Sequence, residues 1–351
     1  MPASASTLRG LAALAIAAPL AAIAGPKYVA HPLVDPNGHD LKGTALNSGG
    51  YITGIANPNQ QDGSEAMLAF IASAKTLHTF GDATAYQNVP FGINASRDVV
   101  GAVTGMDSSR HAFVARGGQD PIDPMPGAHE AYAFGVNDPG VVIIAADGAS
   151  YTWRSNGTTV RIPTPAGDTS SEPTGINDAG VVVGESDNGS NQQGGQHAWI
   201  WQDGVLAVLP GLTDPEGVVE DAFAQAINAA GLVVGNCMVE GYYHPCSWTN
   251  GVPHDLGLLP GGDQGYARGV NDRGEIVGYS FSSEGAPGPH PLLWRHGVRS
   301  DLRKLVDLPP RQFIETADAI NDRGEILVSG YEIIDFHTQV NRWWLLVPNA
   351  L

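Results

Sequence analysis

After the first two dozen residues, apolar positions fall in runs too short for helices, and no window keeps a helical period. The runs are bounded by Gly, Asn, Asp and Pro, and they recur. Ala45-Leu46-Asn47 returns as Gly92-Ile93-Asn94, Gly135-Val136-Asn137, Gly175-Ile176-Asn177, Ala226-Ile227-Asn228, Gly269-Val270-Asn271 and Ala319-Ile320-Asn321. The Asn-to-Asn spacings are 47, 43, 40, 51, 43 and 50. Three positions after each Asn stands Gly, at 50, 140, 180, 231, 274 and 324, with Arg97 in the second unit. Two β-branched or aliphatic residues follow, then another Gly at 54, 101, 184, 235 and 278; Ile144 and Val328 depart from this in units three and seven. A period of this length marks a repeat architecture.

Each unit reads as four short strands. The first ends at the Asn, whose side chain caps a type I turn, and the Gly three residues on takes the positive-φ position. The second strand is the Val-Val-Gly segment. The third opens on His111-Ala112-Phe113, His197-Ala198-Trp199, His244-Pro245-Cys246 or His290-Pro291-Leu292. A second tight turn at Asn156-Gly157, Asp203-Gly204, Asn250-Gly251 or His296-Gly297 leads to the fourth. Seven such meanders predict an all-β fold, a seven-bladed β-propeller of four-stranded antiparallel sheets. The last unit stops after its third strand, at Trp343-Trp344-Leu345-Leu346-Val347. The stretch Tyr28–Val34 precedes the first unit with no partner of its own. It is expected to complete the last blade and so close the ring, leaving no open sheet edge at the join. An open solenoid would need capping units, which the sequence does not contain.

The first residues concern processing. Arg9 precedes a 14-residue apolar run, Leu11 to Ala24, ending in Ala22-Ile23-Ala24. This is the pattern of a signal peptide over residues 1–24, cleaved after Ala24. As a helix the run would span about 21 Å, short of the ~30 Å hydrocarbon core that a membrane anchor must cross. Residues 25–351 are then one exported domain, secreted or periplasmic, with no membrane span in the mature chain.

Composition narrows the partners. Of 351 residues, 36 are acidic and 18 basic, a formal net charge of −18. Neutralising phosphates takes Lys and Arg, so nucleic acid is an improbable partner. The 45 glycines suit a chain of many tight turns. Only two cysteines occur, and Cys237 and Cys246 flank one hairpin of the fifth unit. In an oxidising compartment they are expected to form a disulfide, the alternative being two buried thiols.

Several motifs together resemble the bacterial HAF-type extracellular repeat. They are Leu258-Leu259-Pro260-Gly261-Gly262, Gly269-Val270-Asn271-Asp272-Arg273-Gly274-Glu275-Ile276-Val277-Gly278, Trp294-Arg295-His296-Gly297 and His111-Ala112-Phe113. His290-Pro291-Leu292 departs from that pattern. The resemblance covers about residues 28–347 and implies an exported, propeller-like protein. It carries no catalytic residue with it.

Candidate chemistry is sparse. The four third-strand histidines, His111, His197, His244 and His290, fall on different blades, too far apart to share one metal ion, and read as structural. The Asn-Asp-x-Gly turns lack the distal Glu of a calcium loop. The Trp residues at 199, 201, 248, 294, 343 and 344 read as packing between blades, or as sugar-stacking rings where exposed. No hydrolase elbow, zinc-protease helix, phosphate loop or dinucleotide fingerprint is present, so no catalytic residue, metal or cofactor is assigned.

In a propeller meander the 1–2 and 3–4 turns share one face; the 2–3 loops and the crossovers between blades share the other. Here the second set varies: Asp187–Gln196, Cys237–Tyr243, Phe281–Pro289, Thr213–Asp221 and Pro309–Glu315. Variable loops on a rigid scaffold are where binding residues tend to sit. Seven residues before each Asn stand Asp40, Gln87, Glu130, Ser170, Asp221, Gln264 and Ile314. Six are polar, and they mark the mouth of the channel on the variable face. They read as a solvated rim or as a site for a cation or a polyhydroxylated ligand. The expected function is therefore a monomeric, exported, non-catalytic propeller binding a glycan or an extracellular protein. The alternatives are a polysaccharide hydrolase or lyase using rim carboxylates, and a structural surface or matrix component.

Overall fold

The computed structural model describes residues 28–56, 67–73, 76–81, 85–190, 195–282 and 288–349. The signal-peptide segment 1–24 lies outside the described residues.

Seven sheets stand around a central axis. The first holds β2 (Leu41–Leu46), β3 (Ile52–Ala56), β4 (Ala69–Ala72) and β5 (Leu77–Phe80). The second holds β6 (Gln87–Ile93), β7 (Val99–Thr104) and β8 (Arg110–Ala115), and the third β9 (Ala131–Val136), β10 (Val142–Ala146), β11 (Ala149–Trp153) and β12 (Thr159–Arg161). In the fourth are β13 (Ser170–Ile176), β14 (Val182–Asp187), β15 (Gln196–Gln202) and β16 (Val205–Leu209). The fifth contains β17 (Ala222–Ile227), β18 (Val233–Val239), β19 (Tyr242–Thr249) and β20 (Val252–Asp255). The sixth contains β21 (Gln264–Val270), β22 (Ile276–Phe281), β23 (His290–Arg295) and β24 (Val298–Asp301). The last is built from β25 (Gln312–Ile320), β26 (Ile326–Ile333), β27 (Gln339–Pro348) and the first strand of the chain, β1 (Tyr28–Pro32). The pairing of β1 with β27 runs antiparallel from Tyr28 opposite Pro348 to Pro32 opposite Trp344, so the N-terminal strand closes the ring as the sequence suggests.

The second blade differs from the expected four strands. Its outermost contribution is a single bridge, Ile122 opposite Val114. The segment after β8 contains Pro121, Pro124 and Pro126, which lack the N–H groups that a fourth ladder needs.

The recurring residues explain the joints. Each Asn-x-x-Gly turn closes through the Gly N–H on the Asn carbonyl, and the Gly φ values lie between 72° and 80°. Arg97 takes the same left-handed conformation at 66°. The Asn Oδ1 accepts the N–H four residues on, as from Val181 to Asn177 at 3.0 Å. Its Nδ2 reaches further, donating to the backbone carbonyl of the Asn in the next blade. All seven do so, at 2.8 to 3.1 Å, and Asn321 returns to Asn47, so the circuit is closed and buried.

Each innermost strand also carries a β-bulge whose extra residue lies three before the Asn: Thr44, Phe91, Phe134, Thr174, Gln225, Arg268 and Asp318. The bulge pushes the carbonyl of the inner strand over its neighbour. The Gly closing the second strand leaves room for it: a Cβ on Gly184 would sit on the Glu172 carbonyl oxygen. In the last blade a second bulge moves this role from position 328 to Gly330, which faces the Phe313 carbonyl oxygen in the same way.

The remaining expectations can be placed on this frame. Asp203-Gly204, Asn250-Gly251 and His296-Gly297 have positive φ at both residues, the two-residue hairpin turn that fits strand twist. Trp199, Trp248 and Trp344 are fully buried, and the Trp248 and Trp294 Nε1 groups donate to the Pro210 and Leu256 carbonyls of the preceding blade. Cys237 and Cys246 form a disulfide across β18 and β19, with Cα atoms 5.9 Å apart. Most of Cys237–Tyr243, expected as a loop, is strand; the connection is the two-residue turn Glu240-Gly241. Among the described residues no helix is long and apolar enough to cross a membrane.

Candidate functional site

The five site residues expected from sequence stand at the starts of innermost strands, and the structure gives them different surroundings. Asp40 is ion-paired with Arg342 on the third strand of the last blade. Asp221 is buried and accepts the Gln196 N–H of blade four at 3.0 Å. Glu130 accepts Arg110 Nη1 at 2.7 Å and the Tyr132 hydroxyl at 2.6 Å, and both bonds lower its pKa below the usual carboxylate range. Gln87 bridges to Met67 of the first blade, and Gln264 pairs with Phe281 within its own sheet. Asp40, Glu130 and Asp221 thus each engage the third strand of the preceding blade.

Of these five, only Glu130 lines the cavity that opens at the channel mouth on the variable face. This cavity has a volume of about 270 Å³ and lies between blades three, four and five. Its wall is set by the column two residues further along the inner strands, five before the Asn: Tyr132, Glu172 and Phe223. Glu172 on β13 stands directly opposite Glu185 on β14, so both carboxyl groups leave the same face of one sheet. Opposed residues of an antiparallel pair have Cβ atoms about 5 Å apart. Neither carboxyl has a hydrogen-bond or ion-pair partner among the described residues. Burial pushes Glu185 up to about 7, with the charge of Glu172 adding to the rise, and burial raises Glu172 as well. Near pH 7 Glu185 is therefore present in both protonated and ionised forms, so the pair can offer a ligand a donor as well as acceptor oxygens. Ser170, Ser171 and Ser186 complete a polar floor, and Tyr132 and Phe223 supply ring surface.

The uniform face has a smaller opening of about 170 Å³, ringed by Asn177, Asn228, Asn271, Asn321 and the following residues. Its aspartates are already engaged: Asp178, Asp272 and Asp322 accept backbone N–H groups of the neighbouring turns. The third-strand histidines each pair with an aspartate: His197 with Asp168 at 3.0 Å, His290 with Asp301 at 3.3 Å, His244 with Asp255 at 3.4 Å and His111 with Asp123 at 3.7 Å. Among the described residues no group of three or more His, Cys, Asp or Glu is placed to hold a metal ion.

Neither a family model nor a curated protein matches the chain. Solved structures do. The β-propeller domain of the trilobed protease from Pyrococcus furiosus is 11% identical, covering 91% of this chain and 93% of that one, with a TM-score of 0.53. Its propeller is described as having an open Velcro topology, whereas here β1 closes the last sheet. A streptogramin B lyase is 10% identical over 91% of this chain and 98% of that one, with a TM-score of 0.51. The acylaminoacyl peptidase of Pyrococcus horikoshii reaches 0.53 at 10% identity, over 93% of this chain and 52% of that one. At these identities the likeness is one of fold.

Proposed function

We propose that this chain is an exported, non-catalytic propeller that binds a glycan at the channel mouth between blades three and five. The observation that carries this reading is the Glu172–Glu185 pair, without a hydrogen-bond or ion-pair partner among the described residues and open to a cavity walled by Tyr132 and Phe223. A pyranose ring presents hydroxyl groups at its edge and C–H groups on its faces; carboxyl oxygens suit the first and aromatic rings the second. The cavity is a small concave pocket, the shape of a small-ligand site rather than a protein interface. Export is supported by the Cys237–Cys246 disulfide and by the apolar run before Ala24. The repeat pattern supports membership of the HAF-type group.

The geometry favours binding over glycoside hydrolysis. A hydrolase needs its two carboxyl groups flanking the scissile bond, with acid and nucleophile or base on different sides of the sugar. Glu172 and Glu185 leave the same sheet face side by side. One observation favours a second reading: Glu185, held near 7, has the proton affinity of a general base for a lyase-type elimination. A glycan-array screen on residues 25–351, followed by product analysis on every hit, separates the two. Retained, unaltered ligand supports the binding reading, cleavage with an unsaturated product supports the lyase, and an empty array overturns both.

A further inference from the structure

The cavity is one end of a longer surface. The ring of Phe223, which forms its wall, lies 5.7 Å from that of Tyr243, and Tyr243 lies 5.3 Å from Tyr266 in the next blade. Tyr266 in turn meets Tyr279 at 5.1 Å and Phe281 at 6.1 Å. All five rings are partly exposed, so an aromatic arc leaves the acid pair and follows the channel rim across blades five and six. Interior packing would have buried these rings, as it buries Trp199, Trp248 and Trp344.

Over the arc lies a cation. The Arg268 guanidinium stands 5.9 Å from the Tyr266 ring centre and 5.8 Å from that of Tyr279. Arg268 is the bulge residue of its strand, the position that re-aims a side chain, and it is exposed. It makes no hydrogen bond or ion pair among the described residues. Arg97, Arg154, Arg161, Arg299 and Arg311 likewise form no ion pair among the described residues, so what sets Arg268 apart is its place over the aromatic arc, where its charge also acts on the buried Asp318 carboxylate. Seven other arginines, Arg110 and Arg342 among them, have their guanidinium groups taken up by nearby acids.

We infer that the ligand is an extended acidic saccharide, a uronate-containing chain. One sugar sits in the Glu172–Glu185 cavity, the following units stack along Phe223, Tyr243 and Tyr266, and Arg268 takes a uronate carboxylate in a bidentate grip. This rests on the glycan reading above and adds its length and its charge. Charge complementarity selects the occupant: planar donors match a carboxylate, and the rings beneath accept the apolar face of the sugar carrying it. The overall negative charge of the protein repels such a chain at long range, so any preference for it has to arise locally, at Arg268.

The test is calorimetric titration of residues 25–351 with two series of oligosaccharides, one neutral and one of uronates, each from two to six units. The expected result is affinity that rises with length in both series, with uronates of four units or more bound about tenfold tighter than neutral chains. R268Q should abolish that tenfold preference and leave neutral binding unchanged, while R268K keeps part of it. Loss of neutral binding in R268Q would mark a misfolded variant or a different site, and overturns the inference. Equal affinity for the two series, or a uronate preference surviving in R268Q, also overturns it while leaving the glycan site standing. Failure of both series to bind overturns the glycan site as well.

Discussion

The side-chain amide of Asn321 donates to the backbone carbonyl of Asn47 at 3.0 Å, joining the last blade to the first. The same bond is made at the six other joints, so each of these asparagines satisfies its own turn and its neighbour's strand end together. Replacing Asn177 by Ala orphans the Val181 N–H and takes one of two donors from the Asn228 carbonyl, which keeps the Gly231 N–H. A buried unsatisfied N–H costs about 1–3 kcal/mol and a lost hydrogen bond about 1 kcal/mol, so N177A should lose about 2–4 kcal/mol. Urea denaturation of the two proteins measures it, and a loss within error of zero would remove the circuit from the account.

Two glycines four residues apart should respond differently to alanine. Gly180 has φ of +79° with open space around its Cβ position, so G180A carries only the left-handed backbone cost of about 1–2 kcal/mol. A methyl on Gly184 would meet the Glu172 carbonyl and the Trp199 ring, neither of which can move freely. G184A should cost about 3 kcal/mol or more. Thermal unfolding of both variants ranks them, and the reverse order would contradict the bulge as the reason for the second glycine.

The architecture was legible because its determinants are local and repeated. An Asn capping its own turn and a Gly three residues later can be read from a single unit. The donation from each Asn to the next blade cannot, since it depends on two units being brought side by side. The ligand site was legible only in part. Alternation along the inner strand puts the residues seven and five before the Asn on one side, and Glu130 does reach the cavity. Asp40, Glu130 and Asp221, however, have their side chains engaged by the third strand of the preceding blade, through Arg342, Arg110 and the Gln196 N–H. The column at minus five carries Tyr132, Glu172, Phe223 and Tyr266, and that run of large and acidic residues was the signal available. Glu185 needed the hairpin register, bulge included, to be set opposite Glu172.

Glu185 makes stability depend on pH. Its carboxyl titrates from an ordinary value of 4.5 when unfolded and about 7 when folded. The folded state holds the proton more tightly, so this group's contribution is most favourable below pH 4.5, declines as pH rises to about 7, and is constant above. E185Q removes the penalty. It should match the parent at pH 4 and be more stable at pH 8 by about 2–3 kcal/mol. Denaturation midpoints at the two pH values check this, and equal stability at pH 8 would place the carboxyl in water.

The Cys237–Cys246 bridge closes a short loop within blade five. In the chain-entropy model a loop of this size contributes about 2–3 kcal/mol. The unreduced protein should show no titratable thiol, and C237A/C246A should unfold at lower denaturant with an unchanged slope. Two reactive thiols in the unreduced, unfolded chain would contradict the pairing.

The most direct test of the central claim is the affinity of the E172Q/E185Q variant for a glycan that the parent chain binds. Glutamine keeps the size of both side chains and removes their titration and their charge. Calorimetry at pH 7 should show at least a tenfold loss with the fold intact by circular dichroism. Parental affinity in the double variant would place the ligand elsewhere on the propeller and contradict the account.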